Sequence, residues 1–227
     1  SSAKAFEVWK NHLVSLGYGY PLGVDLPSEG RGFIPNAKFY NKIYGEGRWS
    51  ANTIISVSIG QGEILATPIQ IANLCATIAN RGWFITPHIV KEIQDTVLDP
   101  KYTTRRIPTI GQHYFNEVAE GMRMAVTGGT CRLANLPDIE VCGKTGTAQN
   151  PHGRDHSAFI GFAPYDDPKI AVCVYVENAG YGAAFGVPIG SLIIEKYLKG
   201  HIAENRKYIE ERMLNSNTII YSGVRKH

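Results

Sequence analysis

The stretch that decides the fold is Ile139–Gln149, which reads IEVCGKTGTAQ. Residues 139–142 predict a short buried strand, after which the composition changes abruptly to small and polar residues. This polar end carries one cation, one glycine and two hydroxyls, at Lys144, Gly146, Thr145 and Thr147. An extended ligand can lie along such an edge as an added strand, while the cation and the hydroxyls hold a carboxylate. The stretch therefore predicts a binding site for an extended ligand that carries a carboxylate.

The same letters have two other interpretations. Gly143, Lys144 and Thr145 also spell the end of a phosphate-binding P-loop, which requires a glycine five positions before Gly143. That position is Asp138, whose carboxylate would repel phosphate, and no glycine-rich run precedes it. Nucleotide binding is therefore disfavoured. A surface turn with an ordinary lysine would be the preferred interpretation if the motif stood alone.

Composition limits the classes of function. A chain of 227 residues suits one domain, or a large part of one, and can bury a core. The formal net charge of +3 is mild and no basic cluster stands out, so nucleic acid is not an expected partner. There is no signal peptide pattern and no apolar run of about 18 residues that could span a membrane. Because the chain opens with an amphipathic segment instead of a methionine, we expect a processed or truncated piece.

Cysteine and histidine spacing does not predict a metal or cofactor site. The four cysteines form no C-x-x-C pair, so we expect buried free thiols, although pairing cannot be deduced from sequence. They are Cys75, Cys131, Cys142 and Cys173. His152, Asp155 and His156 fall in one polar turn without a further ligand, which favours a solvated loop over a metal site.

Helical periodicity dominates the first part of the chain. We predict helices over residues 3–16, 36–43, 68–82 and around 115–126, and a strand-like segment over 83–93. In the helix that opens at Thr67-Pro68, residues Ile71, Cys75 and Ile78 are expected to be buried.

The second part alternates and then returns to helical spacing. Residues 157–163 and 169–177 predict two strands that follow residues 139–142 as an antiparallel meander. A helix over 188–198 is expected to bury one face, and a polar helix over 203–214 follows it. The expected face consists of Ile189, Leu192, Ile193 and Tyr197. The chain is therefore predicted to be an α+β protein with an antiparallel sheet flanked by helices. Residues 1–214 are assigned to one partial domain and 215–227 to a tail that frays.

A family resemblance rests on the K-T-G letters and on several longer stretches. K-T-G is an element of serine β-lactamases and penicillin-binding proteins. The longer stretches resemble class B penicillin-binding proteins, specifically the elongation-type penicillin-binding protein 2 group. They are residues 23–29 (GVDLPSE), 58–63 (SIGQGE), 79–82 (ANRG), 143–150 (GKTGTAQN) and 156–164 (HSAFIGFAP). The resemblance implies the fold shared by penicillin-binding transpeptidases and serine β-lactamases.

The resemblance also implies a mechanism. In this family the serine of an S-x-x-K motif attacks the penultimate D-alanine carbonyl of a peptidoglycan stem peptide and releases the terminal D-alanine. The amine of a second strand then resolves the acyl-enzyme, and β-lactams trap the same serine. By resemblance, Lys144 supplies positive potential, Thr145 and Thr147 offer hydroxyls to the substrate carboxylate, and the Thr147 N–H is an oxyanion donor. Gly146 keeps the strand edge open.

The chain departs from the family at the nucleophile. In the family the S-x-x-K serine lies further upstream than the 143 positions that precede Lys144 here. Ser1–Lys4 spells S-x-x-K and Ser50-Ala51-Asn52 spells S-x-N, but both matches are attributed to chance because of their positions. We therefore expect the C-terminal part of a transpeptidase domain without its N-terminal strands and nucleophile helix, unable to acylate alone. The strand over 169–177 would then be an unpaired edge that favours self-association or pairing with the missing segment.

Two alternatives keep the fold but change the function. The first is a non-catalytic penicillin-recognition or scaffold domain, and the second is a hydrolytic β-lactamase, which the long resemblance to transpeptidases disfavours. The resemblance further implies a parent protein anchored in the inner membrane by an N-terminal helix, with this domain on the periplasmic side. It also implies partners among the membrane proteins of cell elongation.

Overall fold

The computed structural model describes residues 2–219, which form two compact units. The first unit ends at Glu117 and the second begins at Val118. The last residues of the predicted tail, from 220 to 227, lie outside the described residues. None of the helices in the described part of the chain combines the length and the apolar character needed to cross a membrane.

The first unit is helical. Its complete helices are α1 (Ser2–Ser15), α2 (Ala37–Tyr44), α3 (Ala51–Ser58) and α4 (Pro68–Ala79), with a 3₁₀ turn at Pro100–Tyr102. Helices α1, α2 and α4 confirm predictions from the sequence, whereas α3 covers a β-branched run for which no helix is predicted. Capping residues explain where α2 and α4 begin. The Asn36 side chain accepts the Phe39 N–H, and Thr67 and Gln70 form a reciprocal capping box before α4.

An aromatic cluster holds the helices of the first unit together. The rings of Phe6, Tyr40 and Trp49 lie 5.3 to 5.7 Å apart, and all three side chains are buried. Each polar atom in the cluster has a partner: the Trp49 Nε1–H donates to Asn41, and the Tyr40 hydroxyl donates to Glu63. Burial and the hydrogen bond to Glu63 raise the pKa of Tyr40, so its hydroxyl stays protonated.

The buried face of α4 is more polar than its sequence pattern predicts. Cys75 and Ile78 are buried as expected, but Ile71 is only half-buried. Gln70 and Asn73 are buried in its place, because their amides donate to main-chain carbonyls of the loop that precedes α2. The helix thereby stabilises a long loop as well as an apolar core.

Two carboxylates order the loop over residues 22–30. The Glu29 carboxylate accepts the N–H groups of three successive residues, 22–24, at 2.6 to 3.1 Å. Asp25 accepts the N–H groups of Ile89 and Val90 at 2.8 to 3.0 Å. The Val90 and Ile89 N–H groups lower the pKa of Asp25, because they stabilise its ionised form.

The predicted strand over residues 83–93 is wrong. Phe84 and Thr86 are buried between less buried neighbours, which produces the alternation of a strand. However, within residues 2–219 the segment forms only two isolated bridges, Phe84 with Arg106 and Ile93 with Thr96, and Pro87 cannot donate to a ladder. The alternating burial therefore arises because one side of an extended segment is buried, and it does not indicate a paired strand.

The second unit contains the predicted antiparallel meander. Its strands are β1 (Cys142–Ala148), β2 (His156–Ala163) and β3 (Ile170–Val176), in the order β1-β2-β3. Helices α6 (Gly186–Lys199) and α7 (Lys207–Leu214) follow, with 3₁₀ turns at Arg132–Ala134 and Glu204–Arg206. Helix α5 (Gln112–Thr127) begins in the first unit and ends in the second. These elements confirm the α+β class, and within residues 2–219 strand β3 has a neighbouring strand on one side only.

A buried phenylalanine joins α6 to the sheet. Phe159 is 1% exposed, and its ring lies where side chains at Gly143, Gly161 and Gly190 would otherwise be. An added Cβ would come within 2.5 Å of the ring at Gly143 and 2.6 Å at Gly161, and at Gly190 it would also overlap the ring. The three glycines therefore form a slot that allows α6 to approach β1 and β2 closely.

Two predictions for the second unit need correction. Strand β1 starts at Cys142 and includes Lys-Thr-Gly, whereas residues 139–142 were predicted to be the strand. The small residues that suggested the end of a strand mark places where β1 closely approaches its neighbours. In α6, Ile193 and Tyr197 are exposed and Ile189 and Leu192 are only partly buried.

The face that α6 does bury contains glycine and polar residues. Gly190 faces Phe159, and Ser191 and Glu195 are fully buried. Glu195 accepts from the Arg206 guanidinium at 2.8 Å, which also donates to Ser191 and to the Leu133 carbonyl. Because the buried polar groups of this face make hydrogen bonds, the face lacks the apolar periodicity from which a buried helix face is predicted.

We predict that Gly190→Ala destabilises the second unit by about 1–3 kcal/mol, because the added methyl overlaps the Phe159 ring. Gly121→Ala is the matched control, since nothing lies within 4 Å of an added Cβ in the middle of α5. This control should gain up to about 1 kcal/mol from helix propensity. Urea unfolding of the three proteins measures both changes, and equal stability of the two variants would contradict the slot.

Acidification should release Asp25 from its two main-chain donors. A carboxyl with a lowered folded-state pKa stabilises the fold above its unfolded pKa, and this contribution is lost as the pH falls through the folded value. The amide shifts of Ile89 and Val90 should therefore titrate with a midpoint below 3.8, the ordinary value for this carboxyl. In Asp25→Asn this inflection should disappear. A midpoint at or above 3.8 in the unsubstituted chain would be inconsistent with the two hydrogen bonds.

Candidate functional site

Strand β1 places the four predicted site residues on two faces of the sheet. Because successive side chains of a strand point to opposite faces, the cross-strand partners decide the side. Phe159 belongs to the core that includes α6, so Thr145 and Thr147 lie on the α6 face, and Lys144 and Gly146 lie on the opposite face. The register pairs are Lys144–Ile160, Thr145–Phe159, Gly146–Ala158 and Thr147–Ser157.

Lys144 is exposed, and its ammonium is bound to its own strand. The Nζ atom donates to the main-chain carbonyl of Thr145 at 2.7 Å. An ammonium has three protons, so this bond leaves two for a ligand.

The Thr145 hydroxyl has a partner outside the motif. Its Oγ1 lies 2.9 Å from the Oγ1 of Thr130, an exposed residue in the turn between α5 and β1. Either hydroxyl can donate in this bond, so one proton of the pair remains for a third acceptor.

The Thr147 hydroxyl accepts an N–H from the segment between β3 and α6. The Gly182 N–H donates to Thr147 Oγ1 at 3.4 Å. A Cβ at Gly182 would come within 2.5 Å of the carbonyl oxygens of Ala158 and Gly146, so only glycine fits there. The segment therefore lies directly against β1 and β2.

Gly146 leaves limited room on the face that it shares with Lys144. An added Cβ would lie 3.3 Å from the Ala158 Cβ, which is tighter than an ordinary contact. Within residues 2–219, and apart from the two chain neighbours of Gly146, no other heavy atom lies within 4 Å of that position, so Ala158 alone limits the space there.

Burial disfavours the cysteine thiols as nucleophiles for this site. Within residues 2–219 none of the four cysteines forms a disulfide, as expected, and three are buried while Cys173 is half-buried. Burial raises the pKa of Cys131, although the Thr130 hydroxyl, the Thr145 N–H and the Lys144 ammonium each lower it. Burial also raises the pKa of Cys173, to about 11. Protonated thiols are weak nucleophiles at neutral pH.

The polar turn before β2 is held by its own hydrogen bonds. Asp155 accepts the Asn150 N–H at 3.1 Å, and the His156 Nδ1 accepts the Asn178 N–H at 3.0 Å. Over residues 2–219 no three His, Cys, Asp or Glu side chains are grouped as a metal site. These contacts give Asp155 and His156 a structural role in the turn.

The serines of the two short motif matches are Ser1 and Ser50. Ser50 is the N-cap residue of α3 and makes no side-chain cap hydrogen bond. Ser1 lies outside the described residues, and Ser2 begins α1. Their attribution to chance remains a prediction.

The family model of the penicillin binding protein transpeptidase domain matches residues 6–195. The chain belongs to this family. It is 33% identical over 219 residues to the peptidoglycan D,D-transpeptidase MrdA of Haemophilus influenzae, and this match covers 87% of the chain but 34% of that relative. The chain thus spans about a third of the length of this curated relative.

Solved structures of penicillin-binding proteins share the fold. The crystal structure of Pseudomonas aeruginosa PBP2 in complex with WCK 5153 is 31% identical, with a TM-score of 0.70 over 85% of this chain and 42% of that one. The complex between PBP2 and MreC from Helicobacter pylori gives 26% identity and a TM-score of 0.67, over 88% of this chain and 39% of that one. The predicted resemblance to the penicillin-binding protein 2 group is confirmed.

The sequence does not reveal which residues hold the side chains of the Lys144–Thr147 motif in place. Thr130, Ser157 and Gly182 lie at least 10 positions along the chain from every residue of the Lys144–Thr147 motif. Only Gly182 carried a signal, since a glycine within an aromatic segment suggests a close backbone approach. No spacing rule connects Thr130 to β1.

We predict that Thr130→Val frees the Thr145 side chain without unfolding the protein. The exposed Thr130 hydroxyl contributes at most about 1 kcal/mol, but it restrains the rotamer of Thr145. Side-chain NMR couplings should show Thr145 averaging over rotamers in this variant. Thr127→Val is the control, because that exposed hydroxyl donates to the Met124 carbonyl of its own helix. An unchanged Thr145 rotamer in Thr130→Val would rule out the restraint.

Proposed function

We propose that this chain is the C-terminal part of a peptidoglycan D,D-transpeptidase that cross-links stem peptides through a serine acyl-enzyme and is the target of β-lactams. The observation that carries the proposal is the Lys144–Thr147 strand, with an exposed ammonium and two supported hydroxyls, inside a transpeptidase family match. The domain assignment of residues 1–214 is part of this proposal.

Each motif residue has a proposed task. Lys144 attracts the carboxylate of the stem peptide to the outer edge of β1 from one face of the sheet, and Thr145 and Thr147 donate hydrogen bonds to it from the other face. The Thr147 N–H is one oxyanion donor, and the N–H of the nucleophile would be the other. Gly146 lets the substrate main chain approach the strand. The contact between Thr147 and the Gly182 N–H supports these tasks, because it leaves the hydroxyl proton for the ligand.

The nucleophile is proposed to lie outside this chain. The chain matches about a third of the curated relative, and its own S-x-x-K and S-x-N letters are attributed to chance. By itself the chain should therefore be inactive. Strand β3, which has a neighbouring strand on one side only within residues 2–219, would pair with the segment that carries the nucleophile, or with a second copy.

The proposed partners and location follow the relatives. Because a similar PBP2 has been solved with MreC, we include membrane proteins of cell elongation among the partners of the parent protein. Peptidoglycan stem peptides and β-lactams are the proposed ligands. The parent is proposed to be anchored in the inner membrane, with this domain on the periplasmic side.

Intact mass after incubation with benzylpenicillin tests the function. The chain alone should keep its mass, and the chain extended by the residues that precede it in its reading frame should gain one acyl group. A stoichiometric adduct on Ser1 or Ser50 would contradict the proposal, because a dismissed motif would then be the nucleophile. An extended protein that never acylates would favour the non-catalytic scaffold.

In the extended protein, Lys144→Ala should slow acylation about 100-fold, because it removes the cation that meets the carboxylate. Lys169→Ala is the matched control, since Lys169 directly precedes β3 and its exposed ammonium pairs with the exposed Asp167. Its acylation rate should equal that of the unsubstituted protein. Equal rates for both variants would remove Lys144 from the site.

A further inference from the structure

A buried serine fastens the segment between β3 and α6 to the sheet. Ser157 in β2 is 0% exposed, and its hydroxyl makes two hydrogen bonds with this segment. It donates to the Tyr181 carbonyl at 2.9 Å and accepts the Gly186 N–H at 3.0 Å. A single side chain thus binds both ends of the run from Tyr181 to Gly186, which we call the fastened segment.

The fastened segment is ordered by further main-chain bonds. The Ala184 N–H donates to the Tyr181 carbonyl at 2.8 Å, and the Val187 N–H donates to the Gly182 carbonyl at 3.0 Å. Just before it, the Gly180 N–H donates to the Asp155 carbonyl at 2.7 Å. Within this short loop only the Gly182 N–H points to a motif side chain among the described contacts, and that side chain is Thr147.

This bond decides where the Thr147 proton can point. A hydroxyl has one proton and two lone pairs, so a hydroxyl that accepts an N–H must turn its proton away from that donor. Accepting a hydrogen bond also polarises the hydroxyl and makes it a better donor. At 3.4 Å the bond is long, so its strength depends on how firmly Gly182 is held against β1.

We propose that Ser157 is a positioning residue: by fastening residues 181–186 to β2, it holds the Gly182 N–H on Thr147 and orients the Thr147 hydroxyl for a ligand carboxylate. That the ligand group is a carboxylate rests on the proposed function, whereas the binding of residues 181–186 to β2 by Ser157 does not. Ser157 is fully buried and cannot touch a ligand itself. The Tyr181 carbonyl accepts one of these two bonds, and Tyr181 is 76% exposed.

Amide hydrogen exchange in this chain tests the fastening directly. In Ser157→Ala, the N–H groups of Gly182 and Gly186 should exchange about tenfold faster, since Gly186 loses its acceptor and Gly182 loses its restraint. Ser191→Ala is the matched control. It removes another fully buried serine hydroxyl, bonded to Pro188 and Arg206, without touching the segment. Ser157→Thr keeps the hydroxyl and should restore slow exchange.

Unchanged exchange at both glycines in Ser157→Ala would overturn the proposal. Equal acceleration in Ser157→Ala and Ser191→Ala would overturn it as well, because general loosening of the unit would then explain the effect. Faster exchange in Ser157→Ala alone supports the fastening, whatever the catalytic outcome.

Acylation of the extended protein by benzylpenicillin tests the link to Thr147. Ser157→Ala should raise the benzylpenicillin concentration that gives half-maximal acylation about tenfold. It should lower the maximal acylation rate less than about threefold, because the Thr147 hydroxyl acts in binding the carboxylate. In a Thr147→Val background the same substitution should have no further effect on half-saturation. A full additional effect there would show that Ser157 does not act through Thr147. If the unsubstituted extended protein does not acylate, the proposed function fails and the exchange result still decides the fastening.

Discussion

The second unit depends on one steric constraint, the burial of the Phe159 ring among three glycines. Gly143 and Gly161 belong to neighbouring strands, and Gly190 belongs to α6, so the ring fixes the distance between helix and sheet. Interiors of proteins are close-packed, and a filled slot of this kind has few alternative arrangements. Gly143 directly precedes Lys144, so the same ring that joins α6 to the sheet also sets the position of the motif strand.

The properties of the motif come largely from residues outside it. On the α6 face, Thr145 and Thr147 are each held by one hydrogen bond from a different loop, through Thr130 and Gly182. On the opposite face, the Lys144 ammonium donates to the carbonyl of the next residue. The two hydroxyls are therefore preorganised and the cation is adaptable. Preorganised donors lose little free energy when a ligand binds, which suits a site for a charged group.

Much of the fold could be predicted from sequence, because its signals are local. Capping residues and 3.6-residue spacing predict every α-helix of residues 2–219 except α3, whose β-branched residues hide it, and alternation predicts β2 and β3. Features that depend on partners distant in the chain leave no pattern in the local sequence. The buried face of α6 contains Glu195, whose partner Arg206 lies in another element, and the segment after Trp83 alternates without a paired strand. For the site, the letters of the motif identified β1, but no pattern reveals that Thr130 or Ser157 would meet it.

The missing side chain of Gly182 has an evolutionary consequence. Carbonyl oxygens of two strands occupy the space where its Cβ would lie, so no other residue fits this point of the chain. Tyr181 on one side and Ala183 on the other are exposed and sterically unrestrained by that contact. Sequence variation can therefore reshape the surface beside the motif strand while the hydroxyl beneath it keeps its orientation. Selection on ligand preference and selection on binding geometry can proceed independently at adjacent positions of one short loop.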